Sequence, residues 1–77
     1  MFDYSKLYGR IREVYKTQPA FAEALGIHYS NLNRRLKNKA QWNSEEIYKA
    51  CKLLNISPED ICLYFFSPKS SDLDTFE

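Results

Sequence analysis

"TQPAFAEALGIHYSNLNRRLKNK", residues 17 to 39, decides the fold. Two short helical patterns flank the turn "GIH". The first covers about 18–25. Thr17 can cap it, and Pro19 is tolerated because first-turn N–H groups have no helical partner anyway. Phe21, Ala22 and Leu25 form its apolar stripe, and Gly26 suits the C-cap. The second covers about 29–37, with Leu32 and Leu36 one turn apart. Asn38 can take the left-handed conformation that ends it. The spacing gives each residue at the junction a task. Ala22 is small enough for a close crossing, Gly26 permits a positive φ, and Ile27, Leu32 and Leu36 fill the space beneath the turn. This is the spacing of a helix-turn-helix.

Working outward, three more helices are expected. Tyr4, Leu7, Ile11 and Val14 share one face of a helix over about 4–16, with Asp3 as its N-cap. Gly9 lies inside it at a cost of about 1 kcal/mol relative to Ala. A fourth helix covers about 44–54. Asn43 and Glu46 match a capping box, and Trp42 and Ile47 match a hydrophobic staple. Its buried stripe is Ile47, Ala50, Cys51 and Leu54. A fifth covers about 58–66, with Ser57 as cap, Pro58 at its first position, and Glu59 and Asp60 at the positive end of the dipole. Ile56 and Ile61 repeat the staple. The fold class is therefore all-α, a compact five-helix domain over residues 1–66. Residues 67–77, "SPKSSDLDTFE", read as a polar, flexible tail.

Seventy-seven residues make one small domain. No apolar run is long enough to span a membrane. The N-terminal stretch lacks the pattern of a signal peptide, so a cytoplasmic location is expected. Cys51 and Cys62 are not in a paired metal-binding spacing, and His28 is the single histidine, so no metal or cofactor is expected. Both cysteines fall in apolar patterns and read as buried, reduced thiols. Scattered carboxylates and no Gly-rich loop give no nucleophile–base pair, which argues against an enzyme.

The net charge of +1 conceals a polarity: residues 1–40 carry +5 and residues 41–77 carry −4. Residues 26–39 contain Arg34, Arg35, Lys37 and Lys39 and no acid. A basic half in a small domain suits a polyanion.

Residues 17–39 resemble the DNA-binding unit of Cro and lambda-type phage repressors, the XRE family. Gln18, Ala22, Gly26, Ile27 and Leu32 stand where that family has Gln, Ala, Gly and two aliphatic residues. "WNSEEIYKACKLLNISPEDI", residues 42–61, resembles its fourth helix and the start of its fifth, and the likeness covers roughly residues 5–62. One departure is Arg35, where many members have an aliphatic residue; the apolar side chain comes one place later, at Leu36. That leaves two rolls of the third helix open, one residue apart.

The resemblance implies a sequence-specific regulator that puts its third helix in the major groove of an operator. By position, the base-edge candidates are Tyr29, Ser30, Asn33 and Arg34. A phosphate contact or a solvated side chain is the alternative for Arg34, and packing for Tyr29. Gln18, His28, Arg35, Lys37, Asn38, Lys39 and Gln41 are the candidates for phosphate contacts. Arg10 and Arg12 read as a solvated face, with added charge for the phosphate grip as the alternative. Family members usually bind as C2 dimers. "ICLYFF" is apolar all round, so Cys62, Leu63 and Phe66 become candidates for a homodimer interface, unless Leu73 and Phe76 fold back over them. No small-molecule ligand is expected. The competing reading is a protein-interaction module on the same scaffold, such as an antitoxin or phage adaptor.

Overall fold

The computed structural model describes residues 1–68. Five α-helices are present among them: α1 Ser5–Tyr15, α2 Gln18–Leu25, α3 Tyr29–Leu36, α4 Ser44–Leu54 and α5 Ile61–Phe65. They enclose one core in which Leu7, Ile11, Phe21, Leu32, Leu54 and Phe65 are almost wholly buried. α2 sits centrally, packed on α1, α3 and α4, and α5 closes the far side of α1. The expected all-α, five-helix architecture is what forms.

Local chemistry sets most of the boundaries. Thr17 Oγ1 accepts the Ala20 N–H at the start of α2. Gly26 takes φ 85°, and the N–H groups of Gly26 and Ile27 both reach back to the Ala22 carbonyl. This is how a helix end satisfies its unpaired carbonyls through a left-handed residue. Asn38 (φ 62°) and Asn55 (φ 56°) do the same for α3 and α4. The capping box at Asn43 and Glu46 forms in both directions, at 2.8 and 3.1 Å. Asp3 caps α1 from one place earlier than the usual position, its carboxylate accepting the Ser5 N–H and hydroxyl.

The structure departs from the sequence reading at several places. Val14, expected on the buried face of α1, is 43% exposed. α1 ends just beyond it, at Lys16 with φ 72°, before another element can cover that turn. Residues 58–66 do not form one helix. Pro58–Asp60 make a 3-10 turn, with the Asp60 N–H bonded to the Ser57 carbonyl, and α5 starts only at Ile61. Cys62 is exposed rather than buried; Cys51 is buried, and burial pushes its thiol pKa up. Arg10 is not a solvated face residue. Its Nε donates to the Leu54 carbonyl at 2.8 Å, filling one of the unpaired acceptors at the end of α4.

The N-terminal arm meets residues 67–68 in a seam that no periodicity signalled. Phe2 forms a single antiparallel bridge with Pro68, and the Asp3 N–H donates to the Ser67 carbonyl at 2.7 Å. The fold therefore runs two residues past 66. Residues 69–77, with Leu73 and Phe76, lie outside the described residues.

A methyl group at Gly9 would meet nothing within 4 Å, so no neighbouring element requires the glycine. Gly9→Ala is expected to raise stability by about 0.5–1 kcal/mol, read as an upward shift of the urea midpoint at constant slope. A thiol reagent is expected to label Cys62 rapidly in the native monomer and Cys51 only on unfolding, as peptide mapping after pulsed alkylation of dilute protein would show.

Candidate nucleic-acid interface

α3 has eight residues and only Leu32 and Leu36 in the core. Two anchors one turn apart fix its position but constrain its rotation weakly. The third restraint is Arg35. Its Nε and Nη2 donate to the two carboxylate oxygens of Glu46 at 2.8 and 2.9 Å, and its Nη1 donates to the Asn31 carbonyl at 3.0 Å. The pair is largely shielded, with the two side chains 17% and 13% exposed. Planar two-pronged pairing of this kind is directional as well as strong. Glu46 also receives the Asn43 N–H, so one carboxylate caps α4 and holds α3 against it.

This settles the roll that Arg35 left open. Leu36 is buried, and Arg35 is turned inward. Arg35 is therefore a weaker candidate for a phosphate contact, because three of its five N–H groups are bonded to Glu46 and Asn31. The outer face that results carries Tyr29 (44% exposed), Ser30, Asn31, Arg34 and Lys37. α3 itself contains no acid, and the nearest carboxylate on α4 is neutralised by Arg35. Asn33 is only partly exposed, at the margin of this face. Asn31 joins it although the base-edge set omitted it; its helical spacing from Arg34, three residues on, is the signal that could have placed it there.

Asn38 is withdrawn from the phosphate contacts. Its Oδ1 accepts the Phe2 N–H at 3.0 Å and its Nδ2 donates to the Phe2 carbonyl at 2.9 Å. The side-chain amide copies the edge of a strand and ties the N-terminal arm to the loop after α3. Lys39 and Gln41 remain exposed on that loop. At the start of α2, Pro19 has no N–H and Thr17 already takes that of Ala20, which leaves Gln18 to donate there. His28 is exposed at the cap of α3 and makes no capping bond through its ring. Cys62, Leu63 and Phe66 are all exposed, Leu63 and Phe66 at 44% each.

Among the described residues no His, Cys, Asp or Glu cluster could hold a metal ion, and no helix is long and apolar enough to cross a membrane.

A small helical domain with a basic, acid-free helix face is the setting in which family relationships become informative. The chain belongs to the family described as "Protein of unknown function (DUF739)", whose model matches residues 1–68. It is also similar to a phage regulatory protein, the modulator of repression (MOR) of the temperate bacteriophage TP901-1 from Lactococcus lactis. The two share 42% sequence identity over 84% of this chain and 88% of that one, and the TM-score to that solution structure is 0.76. No curated protein matches.

Glu46→Ala should cost about 2–3 kcal/mol, because it removes a cap and leaves the Arg35 guanidinium partly buried without its partner. The double change Arg35→Met with Glu46→Gln keeps the cap acceptor and strands no charge. It should recover at least half of that loss in a denaturation series.

Proposed function

We propose that the chain is a DNA-binding regulator of a phage repression circuit, built on a Cro-like (XRE-type) helix-turn-helix. α3 enters the major groove, and Tyr29, Ser30, Asn33 and Arg34 meet base edges. Arg34 can give two parallel bonds to guanine O6 and N7. Gln18, His28, Lys37, Lys39 and Gln41 hold phosphates and set the register. The observation that carries this reading is the outer face of α3, where Arg34 and Lys37 project from a helix without acids while Arg35 cancels the nearby Glu46. The similarity to a phage modulator of repression supports the regulatory setting. One helix reads few base pairs, so binding as a homodimer through Cys62, Leu63 and Phe66 belongs to the proposal, as does action in the bacterial cytoplasm.

A second reading has its own support. A modulator of repression is named for acting on repression, and a protein can do that through a protein partner. The exposed Leu63 and Phe66 supply apolar surface for one. Here the domain is an interaction module, and the basic face of α3 is incidental.

Selection from a random duplex pool separates the two. The first reading expects a palindromic consensus and affinity that falls steeply with salt, because each phosphate neutralised releases a counterion. Absence of duplex binding at low salt sinks it. Within the first reading, Arg34→Ala should cost about 1–3 kcal/mol on the consensus and relax one base-pair preference. Lys39→Ala should weaken all sequences alike and flatten the salt slope by about 1. Competition binding at three salt concentrations checks both.

A further inference from the structure

A groove of about 620 Å³ opens where the N-terminal arm, the loop after α3 and the end of α5 meet. Its walls are Phe2, Trp42, Phe65 and Phe66. They brace one another edge to face: Phe2 on Phe66 with ring centres 5.5 Å apart, and Trp42 on Phe65 at 5.1 Å. The Asn38 clamp on Phe2 fixes one side, and the pairing of Phe2 with Pro68 fixes the other. The walls thus belong to the folded structure, although Phe66 is still 44% exposed.

The polar groups on this groove are one-sided. No carboxylate lines it, Lys39 is its one charged side chain, and Gln41 stands beside Lys39 on the rim. The indole N–H of Trp42 is buried and has no acceptor in hydrogen-bond geometry; the Tyr4 hydroxyl lies beside it without meeting that geometry. An aromatic trough takes an apolar anchor, and a cationic rim takes carboxylates or carbonyls.

We infer that this groove is a docking site for an acidic peptide segment of a partner protein, one that carries a leucine or an aromatic residue as its anchor. The inference rests on the second reading, that the chain engages a protein, and assigns where and by what chemistry. A second copy is the poorer occupant, because a two-fold contact here sets Lys39 against its own counterpart. Single-stranded nucleic acid is poorer too, since its backbone calls for a row of cations and the groove lining offers only the Lys39 side chain and the amino group of Met1. Lys39 also stands among the proposed phosphate contacts, so an occupied groove and bound DNA draw on the same ammonium group.

Trp42 is the single tryptophan of the chain, so its emission reports the groove directly. The probe is a synthetic peptide of Asp, Glu and Ser with one Leu and one Phe, titrated into the full chain without DNA. Expected are a saturable change in Trp42 emission and amide shifts centred on Phe2, Lys39, Gln41 and Phe66. Lys39→Glu should weaken binding about tenfold. Gln41→Glu, at a second exposed rim position, should weaken it as well should Lys39→Glu disturb the amide spectrum. A peptide with Ser in place of Leu and Phe should not bind. Equal binding of a Lys-for-Asp peptide overturns the inference, and so does a peptide that binds with shifts confined to α3 or to Leu63. In that last case the protein-interaction reading survives and only the site is wrong; no binding anywhere removes the site and counts against that reading. Two results without peptide also overturn it. A change in emission on Leu73→Ser or Phe76→Ser assigns the groove to the chain's own end. Emission that depends on protein concentration assigns it to a second copy.

Discussion

The arrangement of α3 depends on one ion pair. An eight-residue helix with two leucines in the core has little to stop it turning about its axis, and the two-pronged bond from Arg35 to Glu46 supplies that stop. Because the same carboxylate completes the capping box of α4, the start of α4 and the roll of α3 are set together. The charge balance of the outer face follows. Arg35 uses its charge internally and cancels Glu46, so that acid does not oppose Arg34 and Lys37, which face solvent. A charged pair held at this depth gains little net energy after desolvation, so its value lies in direction.

A second constraint joins the N-terminal arm and the segment after α5 to the loop after α3. Asn38 ends α3 by taking the left-handed conformation and then spends its side chain on the backbone of Phe2. Phe2 in turn pairs with Pro68 and packs on Phe66. The loop that bears Lys39 and Gln41 is thereby fastened to α5 through the N-terminal arm. Groups proposed to hold phosphate and groups proposed to hold a peptide share this one fastening, which gives the small domain a physical route for one partner to sense another.

The helices were legible for local reasons. Thr17, Gly26, Asn38, Asn43 with Glu46, and Pro58 each act within four residues of themselves, and each does so in the structure or close to it. The failures share a cause as well. Val14 matched the helical period, but the helix stopped before anything covered it. Pro58 and its two acids marked a helical start, yet the first turn closed as a 3-10 turn and α5 shrank to five residues. Cys62 sat in an apolar run whose total exceeded what one small core could enclose.

Part of the candidate site was legible in the same way. Gly26 and the positions of Leu32 and Leu36 place Tyr29, Ser30, Arg34 and their neighbours on the outer side of α3 to within one residue of roll. Arg35, Asn38 and Arg10 were different. Each has donors that suit a phosphate, water or another part of the chain equally well, and sequence carries no distance between residues 35 and 46, 38 and 2, or 10 and 54. The sequence alone determined that five helices form, where the first four begin and end to within a residue, and that a basic stretch lies on α3. Tertiary structure alone decided which of those polar groups stay available, because a side chain's last hydrogen bond depends on what the fold brings within about 3 Å of it.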